Sequence, residues 1–216
     1  MPSLDVREDM KKIILAFLSA LLTACTQGEM RNTEIDRGTF SDGEYRNESL
    51  GFSLAFPDSW HIEQMGVEEF LQFDEVLDET MARHENATDV RRSGISVYFG
   101  LISSILPGAE SWPPFLTAYL VDLDGLRGVS EAKGYLRHLK GRYPPQSDAI
   151  QIGDIRSGEL GGREFYAIST NLSGVRSMEY ATLVDEYALV FSLVYETDAQ
   201  LTEARRVLNG IRFTHD

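Results

Sequence analysis

The chain has almost no cysteine. Among its 216 residues there is one, Cys25. A disulfide within the chain is therefore excluded, and so is a metal site built from several thiolates. The stability of the folded protein must come from its hydrophobic core.

Basic residues are also scarce. The chain has 20 lysines and arginines against 34 aspartates and glutamates, which gives a formal net charge of −14 at pH 7. Nucleic-acid binding requires a basic surface, so we expect no nucleic-acid partner. A polybasic attraction to anionic lipid is excluded for the same reason. Solubility is a sufficient explanation for this excess of negative charge.

No apolar run reaches the length of about 20 residues that a membrane-spanning helix needs. The run from Ile13 to Leu22 has ten residues, follows Lys11-Lys12 and ends in small and polar residues. This order is typical of an export signal that is removed after transport. Residues 1–9 are acidic where such a signal should be basic. The true start is therefore either Met1 or Met10, and we favour Met10, which makes residues 1–9 a start-site error.

The signal ends in Leu22-Thr23-Ala24-Cys25, which resembles the lipobox of bacterial lipoproteins. The resemblance implies that residues 1–24 are removed and that Cys25 is acylated on its sulfur. The protein is then exported and anchored to a bacterial membrane through lipid on Cys25, with its domain in the periplasm or at the cell surface. An ordinary secretory signal and a buried helix are the alternatives.

Residues 25–44 are polar and rich in Gly, Asn, Asp and Ser. This composition predicts a flexible tether with a mean span of roughly 25 Å. The remaining residues, 45–216, suit one domain in length.

The pattern of apolar and polar residues after the tether, over residues 45–216, predicts strands and amphipathic helices. Predicted strands cover 52–56, 95–102, 115–123, 151–160, 163–171, 175–184 and 187–196. Gly161-Gly162 and Asp185-Glu186 have the length of two-residue hairpin turns. Predicted helices cover 66–83, 130–141 with Ser130 as N-cap, and a segment that begins at the capping-box residues Thr197 and Gln200. This order of elements predicts the α+β class.

The sequence Tyr-Arg-Asn-Glu-Ser-Leu-Gly-Phe-Ser-Leu-Ala-Phe-Pro-Asp-Ser-Trp over residues 45–60 is similar to the opening of PsbP-like domains. Those domains begin with a hairpin, a Gly-Phe strand, then Pro and Trp, and residues 187–214 are similar to their closing strand, helix and short strand. The resemblance implies a PsbP-like α/β/α sandwich over 45–216, an antiparallel β-sheet flanked by helices on both faces. The shared residues are apolar or turn-forming, so the resemblance assigns no functional residue.

Motifs for catalysis or metal binding are incomplete. Ser130 and Lys133 match the S-x-x-K of penicillin-binding enzymes, but the partner motifs are absent. We expect Ser130 to be an N-cap and Lys133 to point to solvent. Asp122-Leu-Asp124-Gly125 is similar to part of a calcium loop but lacks its glutamate, so we interpret it as a turn. The four histidines form no zinc motif. We expect no metal and no cofactor.

The segment from Glu63 to Glu85 contains eight acidic residues and one basic residue, Arg83. It is either a solvated helix face or a docking surface for a basic partner or a divalent cation. The candidate partner surface consists of the acidic residues of the predicted helix, Glu68, Glu69, Asp74, Glu75, Asp78 and Glu79.

These observations predict a membrane-anchored envelope lipoprotein that is not an enzyme. Its domain is expected to be a monomeric binding or assembly module with an envelope protein as partner. The alternative is a small hydrolase or transferase whose site is assembled from scattered residues. An enzyme should show a cleft with converging polar groups and a strongly perturbed titratable residue. A binding module should show a filled core and a flat or acidic surface patch.

Overall fold

The computed structural model describes residues 38–65, 100–105, 115–124, 126–142, 150–172 and 175–214. Most of the described residues are in β-structure, in the strands β1 (Thr39–Ser41), β2 (Glu44–Asn47), β3 (Phe52–Ala55), β4 (Trp60–Met65), β5 (Gly100–Ile105), β6 (Phe115–Asp122), β7 (Ile150–Ile152), β8 (Arg156–Leu160), β9 (Arg163–Leu172), β10 (Val175–Val184), β11 (Tyr187–Tyr195) and β12 (Arg212–Phe213). The described ranges also contain two helices, α1 (Ala132–Arg142) and α2 (Asp198–Leu208). In the part of the chain described, no helix is both long and apolar enough to cross a membrane.

The strands form two antiparallel sheets. The smaller sheet has the order β1-β2-β3-β12, and the larger has the order β4-β5-β6-β11-β10-β9-β7, with β8 paired to β9 beside β7. The sequence predicts a single antiparallel sheet. The described strands correct this to two, because β3 pairs with the C-terminal strand β12 and not with the large sheet.

Strands β8 to β11 form the meander that the sequence predicts. Gly161 and Gly162 have φ of 59° and 84°, and positive φ at both central residues is what a type I′ hairpin turn requires. Asp185 also has a positive φ of 52° in the turn between β10 and β11. A Cβ atom on Gly161 would lie 2.6 Å from the carbonyl oxygen of Ile211, so this turn packs closely against the chain that follows α2.

The capping box at α2 is confirmed. The side chain of Thr197 accepts a hydrogen bond from Gln200 N at 3.2 Å, and the side chain of Gln200 accepts one from Thr197 N at 3.1 Å. The helix predicted over 66–83 lies outside the described residues, and so do residues 95–99 of a predicted strand. The adjoining strand β5 begins at Gly100.

The folded hairpin begins inside the segment for which the sequence predicts a tether. Strand β1 pairs with β2, and the ring of Phe40 contacts that of Phe56 edge-on with 6.3 Å between centroids. Residues 39–44 therefore belong to the domain. The tether prediction for residues 25–37 falls outside the described chain.

The large sheet has a core on each face. Leu189, Phe191 and Leu193 of β11 share one core with α2 and the small sheet, and we call this side of the large sheet the α2 face. Ala188 and Val190 share the other core with α1, and we call this side the α1 face. Successive side chains of a strand point to opposite faces. The two faces therefore bury alternate residues of the same strand, and all of β11 is buried.

Candidate functional site

Two sites predicted from the sequence lie outside the described residues. One is the lipidation site Cys25, and the other is the acidic partner surface of Glu68, Glu69, Asp74, Glu75, Asp78 and Glu79. Both stay predictions.

Ser130 and Lys133 do not have the environments that the sequence predicts. The backbone N–H of Tyr135 donates to the carbonyl oxygen of Glu131 at 3.0 Å, which places Glu131 at the N-cap of α1. Ser130 is exposed one residue earlier, so the prediction that it caps the helix is wrong by one residue. Lys133 is half-buried as a residue, and its Nζ lies over the Tyr166 ring, 5.5 Å from the ring centre, instead of pointing to solvent.

The segment that is similar to a calcium loop is a turn. The carboxylate Oδ1 of Asp122 accepts a hydrogen bond from the backbone N–H of Asp124 at 2.9 Å, as in an Asx turn. Across the described ranges, no three His, Cys, Asp or Glu side chains group closely enough to hold a metal ion.

A carboxylic acid lies in the core of the α1 face, where the sequence pattern predicts none. Glu179 of β10 is fully buried and is in register with Ser192 of β11. The Ser192 hydroxyl donates to Glu179 Oε1 at 2.7 Å, and the Tyr119 hydroxyl donates to Oε2 at 3.4 Å. The Tyr119 hydroxyl also lies 3.4 Å from the hydroxyl of Tyr135 on α1. Glu179 is thus held by side chains from the adjacent strand β11 and from β6, the next strand beyond it.

Burial raises the pKa of Glu179 to about 8. Removal from water disfavours the charged form of a carboxyl group, and this effect outweighs the hydrogen bonds from Ser192 and Tyr119, which lower the pKa. Glu179 is therefore mostly protonated at pH 7. A neutral carboxyl group can stay in the interior without a cationic partner, which a charged one could not.

Glu179 belongs to a row of polar side chains that crosses the α1 face. Thr117 of β6 is in register with Ser192, and Ser192 is in register with Glu179. The hydroxyls of Thr170 and Ser177, on β9 and β10, lie 2.7 Å apart. Each of these five side chains is 3% exposed or less. Thr117 Oγ1 differs from the others because it has no hydrogen-bond partner within the described residues.

The sequence contains a weak signal for this buried acid. Glu179 lies in the predicted strand 175–184, between the predicted strands 163–171 and 187–196. A strand with a neighbour on each side is central in its sheet, and residues in the middle of a central strand covered on both faces are mostly buried. The burial of Glu179 is therefore indicated by the position of its strand within the sheet and not by its residue type.

A cavity of about 290 Å³ lies on the α2 face beside β8. Its floor is formed by residues of β9 and β10, which are Phe165, Ala167, Ser169, Met178 and Tyr180. The segment 153–160, with β8, forms a wall, and Arg205 of α2 also lines the cavity. The Nε of Arg205 donates to the hydroxyl of Tyr180 at 2.9 Å. The cavity therefore combines a mainly apolar floor with charged side chains around it.

The buried acid and the cavity lie on opposite faces of β10. Met178 and Tyr180 line the cavity, whereas Glu179 between them points to the α1 face and bonds to Ser192. The carboxyl group with the strongly raised pKa does not face the cavity. The sheet itself separates the two features.

Comparison with known proteins gives little. No protein-family model matches the chain, and no curated protein matches its sequence. Among solved structures, the chain is similar to the solution structure of cyanobacterial PsbP (CyanoP) from Synechocystis sp. PCC 6803, with a TM-score of 0.42 and 11% identity, covering 82% of this chain and 98% of that one. A similarity at this level assigns no function to this chain.

Proposed function

We propose that this protein is an exported lipoprotein of the bacterial envelope whose domain is a non-catalytic binding or assembly module. The observation that supports a non-catalytic role is the separation of Glu179 from the cavity. An enzyme site brings a perturbed titratable group to a cleft where it can meet substrate. In this domain the perturbed group is enclosed on the α1 face and the cavity opens on the α2 face.

We also propose that the domain is a PsbP-like α/β/α sandwich. The separate cores of α1 and α2 on the large sheet support this layering. Two residues that carry the sequence resemblance, Phe52 and Trp60, are buried, and Trp60 Nε1 donates to Glu203 Oε1 on α2 at 3.1 Å. They act as scaffold, which agrees with a family resemblance that assigns no functional residue.

The anchor is proposed from the Leu22-Thr23-Ala24-Cys25 sequence. Acyl chains supply membrane affinity of about 0.8 kcal/mol per buried CH₂ group, and stable anchoring needs more than one chain. Cys25→Ala should therefore move the protein from the membrane fraction to the aqueous fraction, measured by fractionation with and without detergent. Thr26→Ala is the matched control and should stay with the membrane. Retention of the Cys25→Ala variant on membranes would contradict the anchor.

The partner is proposed to be an envelope protein that docks on the acidic residues Glu68, Glu69, Asp74, Glu75, Asp78 and Glu79. A basic partner surface would complement the net charge of −14.

The competing proposal is a small hydrolase or transferase whose site is assembled from scattered residues, and Ser130 with Lys133 is the candidate pair that can be tested for it. A fluorophosphonate or a β-lactam probe would label the nucleophilic serine of such an enzyme covalently. We expect no labelling, because Ser130 precedes the helix in an exposed position and Lys133 lies over the Tyr166 ring. Mass-spectrometric detection of a probe adduct on Ser130 would favour the hydrolase.

A further inference from the structure

We infer that the cavity beside β8 binds a small anion with an apolar body, of which an aromatic carboxylate is the simplest example. This inference deepens the proposed binding role and rests on it, but it is independent of the lipid anchor. Three properties carry the inference: the direction of the side chains on β8, the balance of charge around the cavity, and the size and chemistry of the floor.

The register of β8 and β9 decides which side chains face the cavity. Arg156 is opposite Ala167 and Gly158 is opposite Phe165. Because Ala167 and Phe165 form the floor, and directly opposed residues share a face, the side chain of Arg156 lies on the cavity side. Glu159 also lines the cavity, but it alternates with Arg156 and Gly158 along the strand, so its side chain points to the other face. Strand β8 therefore contributes a cationic side chain to the cavity and turns its carboxylate away.

The other charged groups leave the cavity positive. Asp154 Oδ1 lies 3.6 Å from Lys140 Nζ, so its charge is compensated outside the cavity. Arg205 is oriented by the bond from its Nε to the Tyr180 hydroxyl, which leaves its terminal nitrogens available. Neither Arg156 nor Arg205 has a carboxylate partner within the described part of the chain. A guanidinium with unused donors is well suited to a carboxylate.

The floor suits a small aromatic ring. The volume of about 290 Å³ is at the lower end for ligand pockets, which span ~300–1,000 Å³. Phe165 and Tyr180 offer aromatic surface, and Met178 offers a polarisable sulfur. A Cβ atom placed on Gly158 would meet nothing within 4 Å, so there is open space opposite Phe165 for a ligand.

Benzoate is the probe that tests this inference. Benzylammonium and benzyl alcohol are the control ligands, because they keep the aromatic ring and replace the negative charge by a positive charge or no charge. Binding to the full chain in detergent is measured by titration calorimetry or by NMR. We expect benzoate to bind and the other two to bind at least about tenfold more weakly.

Arg205→Gln and Arg156→Gln should each weaken benzoate binding by about tenfold, since each removes one charge-assisted hydrogen bond. Arg206→Gln removes the neighbouring exposed guanidinium of α2, which does not line the cavity, and should leave affinity unchanged.

A second pair of variants tests the location. Gly158→Leu should fill the cavity and abolish benzoate binding, whereas Ser157→Leu places the same side chain on the other face and should not affect binding. Absence of benzoate binding, equal binding of benzylammonium, or equal losses in Arg205→Gln and Arg206→Gln would each overturn the inference. Such a failure would leave release of Cys25→Ala from membranes unaffected, so it is distinguishable from failure of the proposed anchor.

Discussion

The two faces of the large sheet are both buried, but their chemistry differs. The α2 face packs a cluster of aromatic rings, in which Phe191 contacts Phe52 at 5.8 Å and Phe165 at 6.1 Å between centroids. The α1 face encloses a row of hydroxyls around the carboxyl group of Glu179. The helices differ as well: α2 begins with a complete capping box, whereas the N-cap position of α1 is Glu131, whose carbonyl oxygen accepts the first hydrogen bond of the helix.

This difference in chemistry indicates which interactions stabilise each face of the sheet. Apolar packing is non-directional and proportional to the area removed from water, so the α2 face can leave part of its surface open as a cavity. A buried polar row is directional, because each donor or acceptor without a partner costs free energy. We therefore expect the α1 face to be sensitive to single atoms and the α2 face to be sensitive to volume.

The sharpest test of the polar face is a pair of substitutions at register partners. Ser192→Ala removes the donor to Glu179 Oε1 and should lower the free energy of unfolding by about 1–3 kcal/mol. Thr117→Val removes a buried hydroxyl that has no partner in the described chain and should raise that free energy by up to about 1–3 kcal/mol. Denaturant unfolding at pH 6 measures both. Changes of the same sign would contradict the role given to the polar row.

A smaller difference in stability is expected between substitutions at the starts of the two helices. Thr197→Ala breaks the capping box of α2 and should cost about 0.5–2 kcal/mol of stability. Ser130→Ala at the start of α1 should change stability by less than about 0.5 kcal/mol, because Ser130 is exposed and precedes the cap position. The midpoints of thermal or denaturant unfolding provide the comparison. If Ser130→Ala cost as much as Thr197→Ala, the cap of α1 would belong to Ser130 after all.

Local sequence signals predicted the meander and the start of α2 correctly. Gly161-Gly162 fixes its hairpin because both residues adopt positive φ, and Thr197 with Gln200 satisfies backbone donors within one turn of helix. Such features depend on neighbours in sequence, so they can be read from it. The pairing of β3 with β12 joins the two ends of the domain, and no local pattern specifies it.

The candidate site is harder to predict than the turns, because its position also depends on contacts between residues that are distant in sequence. The sequence predicts the N-cap of α1 at Ser130, one residue before its observed position at Glu131. The difference arises because several residues near a helix start can occupy the cap position. Glu179 and the cavity arise from strand order and register, which decide that Glu179 faces α1 while Met178 and Tyr180 face the cavity. Composition and spacing do not contain that information.

We expect Glu179 to be a neutral group in the core of the folded protein, and the pH dependence of stability tests this expectation directly. With a pKa of about 8 in the folded protein and an ordinary value of 4.5, Glu179 keeps a proton between these pH values that the unfolded chain has released. Its contribution to stability is therefore full below about pH 4.5, declines as pH rises and is lost above about pH 8, with a slope of at most ~1.4 kcal/mol per pH unit.

The decisive measurement is denaturant unfolding of the wild-type protein, Glu179→Gln and Glu159→Gln at pH 5, 6, 7 and 8. Gln has the acceptor and donor of a protonated Glu but does not titrate. We predict that the stability of Glu179→Gln relative to wild type rises steadily from pH 5 to pH 8, and that Glu159→Gln, an exposed control on β8, follows wild type. Parallel pH profiles for Glu179→Gln and wild type would contradict the account, because Glu179 would then be charged in the folded protein as it is in the unfolded chain.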